Sequence, residues 1–171
     1  VALFLIVLAI ALLWLSRRGR SASGLPAGRV VYVDSHAWQR PSEPLRAPRY
    51  RLVGRPDYLL RQGRAIIPVE AKPTRQADEP FAADILQLAA YCLLIEERYG
   101  HSPPHGLIVY RERTFEVPYD DNLRQTLLDT LETMRRAERR REVRRDHKDP
   151  ARCASCSMRG QCGDLAPEGR G

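Results

Sequence analysis

Cysteine is scarce in this chain and badly placed for a disulfide framework. There are four in 171 residues. None precedes Cys92, and Cys153, Cys156 and Cys162 crowd one short terminal stretch. That distribution does not make a secreted scaffold; a metal site in a reducing compartment is expected instead. Acidic charge is also short: Lys and Arg number 28 against 21 Asp and Glu, a formal net charge of +7. The excess is mostly arginine and is clustered. It points to a polyanionic partner, because basic side chains release counterions from a phosphate backbone. Aromatic residues are missing from the densest basic tract, Arg135 to Arg145, so base stacking is not expected there. Positive charge is missing ahead of the one long apolar run, Val1 to Leu15, which argues against a cleaved signal peptide.

That run, VALFLIVLAIALLWL, is followed by Ser16-Arg17-Arg18-Gly19-Arg20. As a helix it spans about 22 Å, against a bilayer core of about 30 Å. Positive charge on its C-terminal flank favours that side facing the cytoplasm. The expectation is a single-pass anchor over residues 1–16 in the inner membrane, with the remainder cytoplasmic. The alternative is upstream sequence translated from a miscalled start. Residues 17–29, rich in small side chains, read as a linker.

What remains is long enough for one domain with a core of its own. Its centre is YRLVGRPDYLLRQGRAIIPVEAKP, Tyr50 to Pro73. Arg51-Leu52-Val53 and Tyr58-Leu59-Leu60 make one arm of a predicted hairpin and Ala65 to Val69 the other. Gly63-Arg64 is the two-residue turn, with Gly where a positive φ is required. Gln62 then pairs with Ala65, Asp57 falls opposite Glu70, and Arg55 opposite Lys72. Opposed side chains share a face, so two carboxylates and a lysine gather there. Such carboxylates repel unless a cation lies between them, and oxygen ligands suit Mg²⁺ or Mn²⁺.

Around the hairpin, Val30 to Val33 reads as a strand and Asp34 to Pro48 as a Pro-rich excursion holding His36 and Trp38. Asp78 is expected to cap a helix starting near Pro80. Phe81, Ile85, Leu88, Ala89, Cys92 and Ile95 recur there at helical spacing. Gln87 and Tyr91, four apart, share a face beside that stripe. Gly106 to Tyr110 and Thr114 to Val117 read as strands. Asp120 or Asp121 caps a last helix whose apolar face is Leu123, Leu127, Leu128, Leu131 and Met134. That helix runs into the arginine tract, a candidate contact for a DNA backbone.

Asp57 followed by Glu70-Ala71-Lys72 resembles the PD-(D/E)XK nuclease motif. Gly54-Arg55-Pro56-Asp57 before Tyr58-Leu59-Leu60, and Pro68-Val69-Glu70-Ala71-Lys72 after the turn, look like its RecB-like branch. Gln87-x-x-x-Tyr91 is similar to that branch's Gln-x-x-x-Tyr helix. Cys153-x-x-Cys156-x5-Cys162 narrows the resemblance to CRISPR-associated RecB-like exonucleases with a terminal cysteine cluster.

The resemblance implies an α/β, restriction-endonuclease-like core at residues 30–148, a mixed sheet flanked by helices, with a cysteine tail at residues 149–171. It implies a metal-dependent deoxyribonuclease, an exonuclease on single-stranded DNA ends, acting in CRISPR spacer acquisition beside CRISPR adaptation proteins. Asp57 and Glu70 would hold Mg²⁺ or Mn²⁺ with the Ala71 carbonyl. His36 is the one histidine ahead of Asp57 that could join them. Lys72 would orient or deprotonate the water, or hold a phosphate oxygen; Gln87 and Tyr91 would position substrate. Cys153, Cys156 and Cys162 would bind a [4Fe–4S] cluster, with zinc as the alternative. The family's fourth cysteine lies upstream of the catalytic motifs, where this chain has none, so either Cys92 or His147 completes the site or the cluster is degenerate. Two other functions remain open: a membrane-tethered DNA-binding module without catalysis, and a DNA-repair nuclease unconnected with CRISPR.

Overall fold

A computed structural model of the chain describes residues 25–26, 28–32, 37–140, 147, 149–154, 156–157 and 159. The expected anchor at residues 1–16 lies outside them, as do His36, Cys162 and the arginine tract from residue 141 to 145. Among the described residues no helix is long and apolar enough to cross a membrane.

The described strands form a mixed sheet in the order β1 (Arg29–Val31), β8 (Thr114–Pro118), β7 (His105–Tyr110), β6 (Ala65–Lys72), β5 (Tyr58–Gln62) and β2 (Trp38–Gln39). Only β6 and β7 run parallel. A parallel pair needs a long crossover, and α1 (Ala82–Tyr99) supplies it. A separate ribbon pairs β3 (Leu45–Ala47) with β4 (Leu52–Gly54), antiparallel. After β8 come α2 (Asp121–Glu138) and the short α3 (Pro150–Ala154). The chain divides into two compact units, Val1–Leu128 and Asp129–Gly171, and the sheet, ribbon and α1 belong to the first.

The hairpin forms in the expected register, Gln62 with Ala65 through Tyr58 with Val69. Gly63 turns it with φ +59°, a conformation costly for any side chain. Alternation then decides which residues of β6 meet α1. Ile66 packs with Tyr91, Leu94 and Ile95, so Glu70 and Lys72, an even number of residues on, face the same helix. Ile67 and Val69 face the other side, with Leu60 and Leu107.

Helix α1 buries the predicted stripe, Ile85, Leu88, Ala89, Cys92 and Ile95, and also Leu93 and Leu94. For Leu94 the ribbon is the reason: its Leu45 and Ala47 pack on Tyr91, Leu94 and Ile95. The approach is close enough that a Cβ at Gly54 would sit 3.0 Å from both Leu94 Cδ1 and Tyr91 Cε1.

Several expectations change. Arg51-Leu52-Val53 is not part of the hairpin arm. Pro56, buried and without an N–H to donate, ends the ladder, and β4 pairs with β3 instead. The β5–β6 ladder stops at Tyr58 with Val69, so Arg55 is not a cross-strand neighbour of Lys72. The Pro-rich excursion contains β2 and β3, too short for a period of two to show. Asp78 does not cap α1. The cap residue is Phe81, with no side-chain bond, and Asp78 accepts from Arg113 at 2.5 Å. Phe81 itself is 48% exposed and outside the stripe. On α2, Asp120 caps as expected, accepting from the Leu123 N–H at 2.8 Å. The apolar face buries Leu123 and Leu127 but leaves Met134 57% exposed.

Candidate active site

Asp57 lies just before β5, and Glu70 and Lys72 lie at the end of β6. The Ala71 N–H donates to Asp57 Oδ2 at 2.8 Å, which ties the first carboxylate to the strand that carries the second. Glu70 is 3% exposed. Its Oε1 receives the Gln87 amide at 2.7 Å and the Lys72 ammonium at 2.6 Å. The same Gln87 nitrogen reaches the Tyr91 hydroxyl at 2.8 Å. Asp57, Glu70, Lys72, Gln87 and Tyr91, read from separate stretches of sequence, therefore form one constellation between strand ends and helix.

Its electrostatics follow from burial. Desolvation pushes the Glu70 carboxyl above its usual range, the Lys72 bond pulls it back, and the Asp57 charge adds to the rise. Lys72 is held above its ordinary value chiefly by its bond to Glu70. It is an ammonium here, a donor to an oxygen rather than a proton acceptor. Burial likewise raises the Tyr91 phenol, which keeps its O–H.

The donor set fits a hard divalent cation. Both bonds to Glu70 fall on Oε1 and the bond to Asp57 falls on Oδ2, so each carboxylate keeps an oxygen for another ligand. Among the described residues no group of three or more His, Cys, Asp or Glu is gathered. An ion here would draw on two carboxylates, backbone and water, as Mg²⁺ does, a metal that retains several waters.

A second cluster beside these residues was not read from the sequence. Asp84, 2% exposed, accepts through Oδ2 from Arg75 at 2.5 Å and from the Tyr110 hydroxyl at 2.6 Å. Tyr110 pairs with Lys72 across β6 and β7, and its oxygen accepts from the Phe81 N–H at 2.9 Å. The Arg75 N–H donates to the Lys72 carbonyl at 2.9 Å. Asp84 therefore ties the end of β6 to the start of the helix that presents Gln87. A signal existed: Asp84, Gln87 and Tyr91 recur at helical spacing on one face.

The cysteines are not gathered by the described residues. Cys153 lies in α3 and Cys156 in the turn after it, the Cys156 N–H donating to the Cys153 carbonyl at 3.3 Å. Cys92 is a core residue, 1% exposed, and burial drives its thiol well above the ordinary range. His147 Nδ1 is buried without a hydrogen-bond partner. In the basic tract, Arg136 pairs with Glu132 at 3.0 Å, while Arg139 and Arg140 are exposed.

An α/β core that holds two carboxylates beside an ammonium, with open oxygens for a hard cation, defines a hydrolase suited to phosphodiesters. Family comparison makes the class specific: the profile of the PD-(D/E)XK nuclease superfamily matches residues 8–163. The chain belongs to the PD-(D/E)XK nuclease superfamily, whose nucleases act on DNA and typically use Mg²⁺ or Mn²⁺. A comparison with curated proteins finds no match.

Proposed function

We propose that this nuclease is a RecB-like exonuclease of the CRISPR-associated type, shortening single-stranded DNA ends for spacer acquisition. The observation that carries the reading is the Gln87 amide, bonded to both Glu70 and Tyr91. It joins the Gln-x-x-x-Tyr helix of that branch to the acidic pair. Asp57 and Glu70, with the Ala71 carbonyl and His36 as further candidates, would hold Mg²⁺ or Mn²⁺. When bound, such an ion supplies charge neutralisation and a more acidic water. Lys72, as an ammonium, holds a phosphate oxygen or orients water. Gln87 and Tyr91 fix the scissile strand against the carboxylates.

The same reading places residues 1–16 in the inner membrane, with the nuclease domain on the cytoplasmic side near CRISPR adaptation proteins. It gives the tail a [4Fe–4S] cluster, or zinc, on Cys153, Cys156 and Cys162. His147 is favoured over Cys92 as the fourth ligand, because its ring nitrogen lacks a partner whereas the Cys92 thiol is buried and protonated.

The test is Mn²⁺-dependent digestion of end-labelled DNA by the full chain. Stepwise shortening of single strands supports the proposal. Internal cuts alone would leave a nuclease that is not an exonuclease. Binding without cleavage would favour a DNA-binding module.

A further inference from the structure

Between Leu45 and Pro56 the chain carries Arg46, Arg49, Arg51 and Arg55 and no acidic residue. All are exposed. Among the described residues none of them is ion-paired, whereas Arg29, Arg75, Arg113 and Arg124 all are. Arg46 lies on β3, Arg49 in the 3-10 turn Pro48–Tyr50, Arg51 at its end, and Arg55 on the link from β4 to Asp57.

The fold gives this group a place. Leu45 and Ala47 seal one face of the ribbon onto Tyr91, Leu94 and Ile95. Alternation sends Arg46 to the other face, where its cross-strand partner Val53 is also exposed. The ribbon is thus seated on the helix flank that carries Tyr91, and it continues through Arg55 and Pro56 into the first carboxylate of the site.

Backbone conformation supplies a second observation. Arg51 has φ 44° and ψ 41°, the one non-glycine residue at positive φ among those described. Its N–H donates to the Pro48 carbonyl at 2.9 Å. Glycine holds this conformation at least cost, and a side chain there is strained. Packing does not require the arginine, since it is exposed; its charge is what a glycine would lack.

We infer that the β3–β4 ribbon is the element that binds the phosphates of the DNA strand leading to Asp57 and Glu70. Its contacts are to phosphates: one face of the Tyr50 ring is covered by the Arg49 guanidinium at 5.4 Å, and the Tyr50 hydroxyl accepts from Arg124 at 3.1 Å. This rests on the nuclease reading above, from which the test separates it.

The experiment measures salt-dependent binding of a labelled oligothymidylate to the full chain, with metal chelated and Asp57→Ala present to prevent cleavage. Adding Arg46→Gln, Arg49→Gln, Arg51→Gly and Arg55→Gln should lower the log–log salt slope by about 0.7 per arginine and weaken binding by about tenfold or more. Arg51→Gly alone should lower the slope by about 0.7 while the melting temperature holds or rises, because the strained residue is replaced by the one that fits. That single variant decides the question if the fourfold variant fails to fold. A parental slope in Arg51→Gly and in the folded fourfold variant overturns the inference. If the unsubstituted chain still digests DNA, the nuclease reading survives that result. A ribbon-dependent slope in a chain that never shortens single strands leaves the ribbon standing and removes the exonuclease. A chain with no affinity for DNA overturns both.

Discussion

Gln87 and Glu70 meet at 2.7 Å, amide nitrogen on Oε1, although one comes from a helix and the other from the neighbouring strand. With Lys72 on the same oxygen, the contact holds a buried carboxylate by Oε1 and leaves its other oxygen for a cation. Gln87→Ala should leave the fold intact, lower kcat/KM by about tenfold to a hundredfold and weaken Mn²⁺ affinity, because Glu70 is then free to turn toward Lys72 alone. Titration of Mn²⁺ against turnover checks this. Unchanged kinetics would reduce the contact to packing.

Asp57→Ala and Glu70→Ala should abolish cleavage while DNA affinity persists, since each removes an oxygen ligand and no arginine. Lys72→Ala should reduce turnover more than metal affinity, because Lys72 offers no lone pair while it remains an ammonium. Digestion by purified Asp57→Ala protein at the parental rate would remove the metal assignment.

Glu70 should cost the fold stability where it is ionised. Its carboxyl is raised above the ordinary 4.5, with burial the first cause, so the folded chain holds that proton more tightly than the unfolded chain. Stability contributed by this group therefore falls as pH rises through the folded pKa, and the penalty vanishes below 4.5, where both states are protonated. Glu70→Gln should raise the melting temperature near neutral pH, with the difference closing as pH falls toward 4.5. Mn²⁺ should stabilise the parent and not the variant. Thermal scans with and without Mn²⁺ read both signs.

The hairpin was legible because every signal in it is local. Gly63 announces the turn, and the two-residue loop fixes the register that brings Asp57 toward Glu70. The helix was legible too, since Ile85, Leu88, Ala89, Cys92 and Ile95 keep one period. The β3–β4 ribbon was not, because its strands are three residues long and stable only against α1. Leu94 lies outside that stripe for the same reason: the ribbon that buries it could not be seen. Asp84 was missed because sharing a helix face with Gln87 and Tyr91 does not by itself mark a carboxylate as buried, and the partners that hold it, Arg75 and Tyr110, come from different elements.

Asp84 should behave as a positioning residue. Asp84→Asn removes the charge that holds Arg75 and supports the Tyr110 hydroxyl, at a cost of about 2 kcal/mol. The start of α1 then loosens relative to β6, and kcat should fall by about tenfold with KM little changed. Tyr110→Phe, which leaves the Phe81 N–H without its acceptor, should reproduce part of the loss. A variant that melts early yet turns over normally would confine Asp84 to stability.

The tail tests whether metal and order go together. Cys153, Cys156 and Cys162 stand in a stretch, RCASCSMRGQCGD, with too little apolar surface to fold unaided. Ligation would supply what burial does not, because binding is coupled to ordering. Anaerobically purified protein should be brown, with a broad band near about 400 nm, and Cys153→Ser should bleach it. His147→Ala should also lose the metal, since the unpartnered Nδ1 is the atom offered as fourth ligand. Cys92→Ser should keep the colour but lose stability, by about 1–3 kcal/mol, because it places a hydroxyl in an apolar core. The opposite pattern, colour lost with Cys92→Ser and kept with His147→Ala, would reverse the ligand choice. Colourless protein with stoichiometric zinc would replace the cluster by a structural zinc site. Neither metal, with a tail cut readily by protease, would leave the hairpin carboxylates as the chain's one metal site.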